Sequence, residues 1–323
     1  MKVHVVKVGE SALGRAKDLP QNLPLIKGFL EKKRKDDEKI ILVLSALSGH
    51  SRKIRGIAQS LFVSAEKFEP ILLPYGEFFS CKMLASYLQD QGLRACALIE
   101  NQTPTKLEAL EASYTFSSFD TDKIHQSLEH FDVVIVPGFV GLDSNQNYAC
   151  LEFDGSDLIT VELAKQFNEK ICTFIKEPGA ITIANRKHVP EAAFLEKLSY
   201  DEALMYGQFG SRVIHESALE KAREYEIEFI LCNAVQTQHT HISHASGSEK
   251  IFAILYHCVD RVHWDLRVLH RNHLDQEDFL MRIAKIESIL SCKTIIHKNR
   301  IEFFGLSKEN LSRAMQDLYR LAS

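Results

Sequence analysis

Six short apolar runs, separated by segments with helical periodicity, constrain the fold of this chain more than any other feature. Most runs lack the alternation of polar and apolar residues that is typical of a sheet with one solvent-exposed face, so they predict strands covered on both faces. Between them, helical spacing places Phe79, Met83 and Tyr87 on one face. This order predicts an α/β fold, a three-layer αβα sandwich with a mostly parallel sheet. The runs are 3–9, 39–46, 94–100, 132–141, 170–177 and 227–234.

The pattern changes near residue 245, where a small, polar connector follows. One or two strands, a helix, a hairpin and a last helix capped by Ser307 are expected after it. This order predicts a compact α+β domain. We therefore expect two domains, the αβα sandwich at 1–245 and the smaller domain at 246–323.

The composition limits the classes of partner and location. The net charge of -4 gives no reason to expect nucleic acid or an acidic membrane surface as a partner. No stretch approaches the ~20 apolar residues that span a bilayer, and the first apolar run is too short for a signal peptide. The seven cysteines include no CxxC pair and are interpreted as reduced thiols. We therefore expect a cytoplasmic protein.

Polar and small residues follow the predicted strands. Lys7 and Gly9 end the first strand, Ser45 and Ser51 follow the second, and Glu77 lies at a helix start. Ligands of a parallel α/β sheet bind beyond the carboxyl ends of its strands. Each residue also has an ordinary structural explanation, such as a surface lysine at a turn or a carboxylate favoured by the helix dipole. Their shared position at one sheet edge is the stronger indication of a site.

The stretch LEFDGSD, residues 151–157, is the clearest candidate for an anion site. A small residue, a hydroxyl and a carboxylate, Gly155, Ser156 and Asp157, stand where an amphipathic helix begins. The three residues before them, 152–154, bring bulk and negative charge to the same place. The stretch therefore predicts either a phosphate cradle or the remains of one.

The order and content of these motifs resemble the aspartokinases of the amino acid kinase family over about residues 3–243. Lys7, Gly9 and Ser11 match the first-strand motif of the family. The stretch LSYDEALMYGQFGSRVIHESALEKA follows a family helix pair almost residue for residue. Further motifs that are similar to those of the family lie at 43–51, 75–92, 136–141 and 153–157.

The resemblance implies transfer of the ATP γ-phosphoryl group, with Mg²⁺, to the side-chain carboxylate of aspartate or a related amino acid. It implies catalytic roles for Lys7 and Asp157, and no metal-binding residues are predicted. The implied substrate-binding residues are Ser45, Ser51, Glu77, which would pair with the ammonium group, and Ser156. The implied nucleotide-binding residues are Gly9, Lys176, Gly179, Arg186 and Arg212, which stands where the family has a lysine.

The chain also departs from the family pattern. Glu10 replaces the second glycine of the first motif, and 152–154 replace a glycine, an arginine and a glycine. That arginine normally holds the substrate α-carboxylate through a fork of N–H donors, which Phe153 lacks. The nucleotide stretch at 175–186 retains clearly only a glycine and an arginine. The nucleotide-binding motifs are therefore degenerate.

Two functional hypotheses remain open on the sequence. The first is an active aspartokinase-type enzyme with a changed acceptor, favoured by the retention of both Lys7 and Asp157. The second is a catalytically inactive homologue, a pseudokinase that binds a small molecule or acts as a regulatory or partner subunit. Loss of several preorganised contacts favours the second, since one such contact contributes about 10²–10³ in rate.

The C-terminal segment 246–323 resembles one ACT-type regulatory domain, where the family usually carries two. ACT units generally act in side-by-side pairs, so one unit per chain predicts a homodimer that completes the pair across a two-fold axis. The segment is expected either to bind an amino-acid effector at that seam or only to dimerise. Three histidines at 239–244 have no cysteine or carboxylate at ligand spacing, so no zinc site is predicted.

Overall fold

The computed structural model describes most of the chain in two compact units. The first unit is Met1–Gly179 with Glu220–Gln238, and the second is Ala180–Leu219 with His239–Ser323. The predicted division at residues 245 and 246 stays a prediction. The described residues are 2–35, 37–111, 113–151, 155–177, 179–208, 214–247, 251–259, 263–270, 276–290, 292–297 and 300–322.

The first unit contains most of the predicted strands and helices. Its strands are β1 Val3–Val8, β2 Lys39–Leu44, β3 Ala95–Ala97, β4 Thr105–Leu110, β5 Ser113–Phe119, β6 Val133–Pro137, β7 Val140–Leu142, β8 Tyr148–Cys150 and β9 Ile171–Ile175, with β11 Glu228–Cys232 later in the chain. Its helices are α1 Glu10–Leu13, α2 Leu19–Lys33, α3 His50–Leu61, α4 Ala65–Leu72, α5 Pro74–Asp90, α6 Thr121–His130 and α7 Gly155–Gln166. Short 3₁₀ turns occupy Ala16–Asp18 and Glu100–Gln102.

Six of these strands form a parallel sheet in the order β11-β9-β1-β2-β6-β3. All six come from the apolar runs of the sequence, so the predicted α/β fold with a mostly parallel sheet is confirmed. Every residue of β1 is buried, as expected for a strand covered on both faces. The strand order reverses at β1, which has the next strand in the chain, β2, on one side and the much later β9 on the other.

Successive residues of β1 point to opposite faces of the sheet and meet different helices. Val6 and Val8 pack in one hydrophobic core with residues of α2 and α5. Lys7 points to the other face, where it meets α7. The sheet therefore has helices on both faces, and the charged member of an otherwise apolar strand belongs to the α7 side.

A second, four-stranded sheet, in the order β5-β4-β7-β8, was not anticipated from the sequence. The apolar run at 132–141 supplies two strands in different sheets, β6 and β7, separated by Gly138 and Phe139. A Cβ on Gly138 would lie 2.4 Å from the Cβ of Ser156. Only glycine therefore lets the chain pass this close to the start of α7 as it changes sheets.

The second unit contains a parallel strand pair and an antiparallel sheet. Strands β10 Lys197–Ser199 and β12 His239–Ser243 pair in parallel, and α8 spans Tyr200–Gln208. An antiparallel sheet in the order β13-β14-β16-β15 is formed by β13 Ile251–Cys258, β14 His263–His270, β15 Lys293–Ile296 and β16 Arg300–Ser307. Helix α10 spans Gln276–Leu290 and α11 spans Lys308–Ala322, whereas α9, Glu216–Tyr225, crosses the division between the units.

The last helix is amphipathic, as its sequence pattern predicts. Leu311, Ala314, Met315 and Leu318 of α11 are all buried, and their spacing of three and four residues puts them on one face. The hairpin expected near residue 300 is present, since β15 and β16 pair in antiparallel fashion. The C-terminal segment is therefore a small α+β domain, whose regulatory role stays a prediction.

Candidate active site

The carboxyl ends of four parallel strands lie in register at one edge of the sheet. The strands end at Val8, Leu44, Pro137 and Ile175, and each of these residues is paired with its neighbour in the sheet. The next residues continue the pairing, because Gly9 N–H donates to Ile175 O at 2.9 Å. Residues distant in the chain are thus neighbours at this edge, and β1, where the strand order reverses, is the expected position of a ligand crevice.

Two lysines from this edge share one buried carboxylate. Lys7 Nζ lies 2.8 Å from Asp157 Oδ1, and Lys176 Nζ lies 3.2 Å from Asp157 Oδ2. Lys7 and Asp157 are 5% and 2% exposed, so each charge depends on the other for compensation. Asp157 lies in the first turn of α7, where the helix dipole favours a negative charge. The arrangement carries one net positive charge.

A cavity of about 690 Å³ opens beside this lysine pair. All its lining residues belong to the first unit. Seven of the predicted site residues line it, and they come from β1, α3, α5, α7 and the residues that follow β1, β2 and β9. They are Lys7, Gly9, Ser45, Ser51, Glu77, Ser156 and Lys176. The structure thus brings these residues together around one space of ligand size, whereas their individual roles stay predictions.

Glu77 is the most deeply buried acid that lines the cavity. It is 1% exposed, and its Oε2 accepts hydrogen bonds from the N–H groups of Gly138 at 2.6 Å and Phe139 at 3.0 Å. Burial raises the pKa of Glu77 to about 8, although these two hydrogen bonds and the charge of Lys7 oppose the increase. The carboxyl therefore changes its charge near neutral pH.

Two serines mark the contact between β2 and α7. Ser45 Oγ donates to Ser156 Oγ at 3.4 Å, at the long end of the hydrogen-bonding range. Both hydroxyls lie beside the cavity. Hydroxyl groups both donate and accept hydrogen bonds, so this pair can reorient toward a polar ligand.

Two of the predicted nucleotide-binding glycines lie where a side chain would not fit well. A Cβ on Gly9 would be 3.3 Å from Lys176 Cγ and 3.6 Å from Lys7 Nζ. Gly179 has φ of +101°, and a Cβ there would lie 2.6 Å from Asn233 N. The first glycine leaves the approach to both lysines open, and the second is required by the local backbone.

Two predicted nucleotide-binding arginines are not placed at this cavity. Arg186 belongs to the second unit, where its guanidinium lies 4.6 Å from the centroid of the Phe194 ring. Arg212 lies outside the described residues, as do residues 152–154, whose bulk and charge the sequence places before α7. Their predicted effects on the site therefore stay predictions.

Two arginines that the sequence did not single out line the cavity. Arg52 and Arg55 lie on α3, three residues apart, just after Ser51. The available signal was the spacing, because residues i and i+3 share one face of a helix. A charged helix face usually contacts only solvent, so the pattern alone does not indicate a site.

Two features are absent from the described part of the chain, a metal-binding cluster and a membrane-spanning helix. No group of three or more histidine, cysteine, aspartate or glutamate side chains is placed to hold a metal ion there. Within the same described residues, no helix is both long and apolar enough to cross a bilayer.

The chain belongs to the amino acid kinase family, whose model matches residues 2–233. It is 25% identical over 237 residues to an aspartokinase of Pseudomonas aeruginosa, and the aligned region covers 73% of this chain and 57% of that relative. It is 26% identical over 200 residues to aspartokinase 2 of Bacillus subtilis, and this alignment covers 62% of this chain and 49% of the relative. The matches thus span about half the length of these relatives.

The fold of aspartokinases extends over nearly the whole chain. The crystal structure of Clostridium acetobutylicum aspartate kinase superposes with a TM-score of 0.71 at 12% identity and covers 99% of this chain. The match also covers 100% of that structure. At this identity the likeness shows the fold, including a C-terminal portion, and leaves the chemistry to be argued from the site.

Proposed function

We propose that this protein is an aspartokinase-type phosphotransferase, which moves the γ-phosphoryl group of ATP to the side-chain carboxylate of aspartate or a related amino acid. The observation that carries the proposal is the pair of lysines held by Asp157 at the wall of the cavity. Phosphoryl transfer develops negative charge on several oxygens, so fixed positive charge beside them is the main catalytic requirement.

Lys7 has the central role in this proposal. Asp157 holds its ammonium group in place, so neutralising a transferring phosphoryl group needs little reorganisation. Asp157 orients Lys7 and Lys176 together through its two carboxylate oxygens. The acceptor is itself a carboxylate and is ionised at neutral pH, so the mechanism requires no general base.

The nucleotide and its Mg²⁺ fit the residues on this wall. Gly9 leaves the backbone open to a phosphate beside the two lysines. Bound Mg²⁺·ATP would supply the phosphoryl group and additional charge neutralisation. Mg²⁺ keeps several waters and is commonly held by substrate phosphates, so the nucleotide itself would bring it to this wall.

The other polar residues are proposed to hold the acceptor. Ser45, Ser51 and Ser156 supply hydroxyl groups, and Glu77 supplies a carboxyl group at the cavity wall. When ionised, Glu77 pairs with the ammonium group of an amino acid, and the bound cation in turn favours the ionised form. Alignment of the acceptor with the phosphoryl donor is the contribution of these residues to rate.

One observation favours the second hypothesis, a catalytically inactive homologue that binds a small molecule or a partner. Glu10 lines the same cavity as the lysines, and a carboxylate there repels a polyphosphate. A binding or regulatory protein would use the same cavity without turnover.

We also propose that the C-terminal segment dimerises the chain as a single ACT-like domain. A small α+β domain with two helices beside a four-stranded antiparallel sheet suits pairing across a two-fold axis. Light scattering should give the mass of a dimer, and lysine and threonine are the effectors to test in a thermal melt. A monomeric mass at all concentrations would contradict this assignment.

One experiment separates an enzyme from an inactive homologue. Thermal stabilisation by Mg·ATP and Mg·ADP is measured first, and ADP release is then followed with amino acids and dicarboxylic acids as acceptors. We expect stabilisation and acceptor-dependent ADP release, both lost in Lys7→Ala. Lys27→Ala is the control, because Lys27 pairs only with Glu31 on α2 among the described residues. Stabilisation without turnover for any acceptor would establish the inactive, ligand-binding alternative.

A further inference from the structure

Glu10 follows the glycine that lies beside the two lysines, and its backbone is fixed on both sides. Gly9 N–H donates to Ile175 O at 2.9 Å, and Glu177 N–H donates to Ser11 Oγ at 3.0 Å. The residues before and after Glu10 are thus bonded to the residues before and after the second lysine of the pair. Glu10 therefore stands next to that lysine across two chain segments, at the edge where the parallel strands end.

The carboxyl group of Glu10 is at the cavity and is not engaged by the protein. It is exposed and lines the same space as Lys7 and Lys176. Its side chain makes no hydrogen bond or ion pair with any described residue. The stability of α1 explains little of its presence, since this helix has four residues and the dipole of so short a helix is small. The carboxylate is therefore available to a ligand of the cavity.

The charges at this edge distinguish a bare nucleotide from a metal-bound one. Lys7, Lys176 and Asp157 together carry one net positive charge. The carboxylate of Glu10 cancels that charge. A phosphate beside Gly9 and the lysines also lies near Glu10, because consecutive Cα atoms are about 3.8 Å apart. A carboxylate and a phosphate repel each other at such short range, unless a cation lies between them.

The groups present at this edge fit a divalent cation that the protein shares with a nucleotide. Mg²⁺ prefers oxygen ligands and is usually bound through one or two carboxylates together with substrate phosphates. Glu10 supplies one such carboxylate at the cavity. Gly9 leaves the backbone beside it open to a phosphate. The same carboxylate that repels a bare polyphosphate therefore attracts a metal-bound one.

We propose that Glu10 is a ligand of the divalent cation that accompanies the nucleotide, so that the site binds metal-bound nucleotide and rejects the bare polyanion. The inference rests on the proposed function for the identity of the nucleotide, whereas metal-dependent binding is measured without turnover. Glu10 then has a use in an active enzyme, and its presence at the cavity no longer favours the inactive homologue.

The first test measures how Mg²⁺ changes the affinity for ADP. ADP is titrated by calorimetry into the native protein and into Glu10→Gln, once in excess Mg²⁺ and once in EDTA. We expect the native protein to bind ADP more tightly in Mg²⁺ than in EDTA. In Glu10→Gln the ratio of the two dissociation constants should fall roughly tenfold or more, through weaker binding with the metal and tighter binding without it.

Glu129→Gln is the matched control for this titration. It removes the same charge from an exposed position of α6 that does not line the cavity, so the ratio should stay as in the native protein. Glu10→Asp keeps the charge on a side chain that is one methylene shorter, and it should retain part of the Mg²⁺-dependent gain. A thermal melt of each variant shows that it is folded.

A second test detects the metal ligand directly. Mn²⁺ prefers the same oxygen ligands as Mg²⁺, and electron–nuclear double resonance reports the nuclei that lie next to it. In protein labelled with carbon-13 at the glutamate carboxyl groups, the Mn²⁺·ADP complex should show the coupling of a directly bound carboxylate. The coupling should be absent from Glu10→Gln and present in Glu129→Gln. No coupling in the native protein would overturn the inference, whether or not the variant folds.

The outcomes separate this inference from the proposed function. Equal Mg²⁺ dependence in Glu10→Gln and the native protein overturns the inference even if ADP release is normal. In that case, weaker binding of aspartate but not of succinate would assign Glu10 to the ammonium group of the acceptor. No binding of ADP with or without metal rejects both. Mg²⁺-dependent binding that requires Glu10, without ADP release from any acceptor, supports the inference and rejects the phosphotransferase function.

Discussion

Lys7 Nζ and Asp157 Oδ1, 150 residues apart in the chain, lie 2.8 Å from each other in a buried ion pair. The pair joins the end of the central strand β1 to the first turn of α7. Lys176 approaches the other oxygen of the same carboxylate. Removing the carboxylate would take away the acidic group that the two lysines share, so this contact has both a structural and a functional consequence.

We predict that Asp157→Asn lowers kcat for ADP release by at least about 10²-fold, because both lysines lose the group that orients them. Removing one partner of a buried ion pair also costs about 3–5 kcal/mol in the free energy of unfolding, so a lower Tm is expected. Steady-state kinetics and a thermal melt measure the two effects. Asp122→Asn, the same change in the exposed first turn of α6, removes only a helix-dipole interaction of about 0.3–1 kcal/mol, so kcat should be unchanged and Tm should fall much less. Unchanged kcat in Asp157→Asn would reject the assigned role.

The stability of the protein should depend on the protonation of Glu77. Its pKa is raised from 4.5 to about 8 by burial, so the folded protein retains this proton at pH values where the unfolded chain has lost it. The contribution of Glu77 to the free energy of unfolding is fully present below pH 4.5 and is lost progressively as the pH rises toward about 8. Each pKa unit corresponds to about 1.4 kcal/mol.

Glu77→Gln should therefore reduce the slope with which the free energy of unfolding falls between pH 5 and 8. The upper end of this window follows from the pKa of Glu77, which burial raises to about 8. Urea unfolding at several pH values measures the slope. Glu129→Gln, a change at an exposed position of α6, is the control and should leave the slope as in the native protein. An identical slope in Glu77→Gln and the native protein would contradict a raised pKa at this site.

The same titration should appear in substrate binding. Glu77 pairs with an ammonium group only when it is ionised, so KM for aspartate should decrease as pH rises through about 8, the raised pKa of Glu77. Succinate has no ammonium group, and its affinity should not improve over this range. Parallel pH profiles of KM for aspartate and Kd for succinate test the assignment. Profiles that change together would show that another group is responsible.

Gly138 should tolerate no side chain, because a Cβ there would meet the Cβ of Ser156 at 2.4 Å. Gly138→Ala should cost about 1–3 kcal/mol in the free energy of unfolding through overpacking, and it should lower kcat by displacing the start of α7. The control is Gly28→Ala within α2, where no atom lies within 4 Å of the added Cβ. That change should be neutral or stabilise the protein by up to about 1 kcal/mol. Equal effects of the two substitutions would contradict this account.

The parallel sheet was predictable because its strands are short apolar runs without alternation, as in β1, where every residue is buried. The site edge was predictable for the same reason, since Lys7 and Ser45 follow strands that had to lie together. The second sheet was not, because β5 reads SYTFSSF, in which hydroxyl residues interrupt the apolar pattern. A strand with no clear inner face gives the sequence pattern little to detect.

The sharing of Asp157 by two lysines could not be predicted from the sequence either. It depends on β9 lying next to β1, and the order of strands in a sheet is not given by their order in the chain. The arginines of α3 were missed for a different reason. A helix face that lines a cavity and one that contacts only solvent carry the same charged residues, and only the packing of the helix distinguishes them.

The buried strands and helix α3 are separate parts of the chain, and this separation bears on which residues of the cavity can change without disturbing the fold. The groups assigned to phosphoryl transfer are anchored in the sheet and α7, where substitutions disturb the core. Arg52 projects from a helix whose only buried residue is Ala58. Cavity-lining residues on that helix can therefore be replaced with little loss of folding free energy, while the buried residues assigned to phosphoryl transfer stay unchanged.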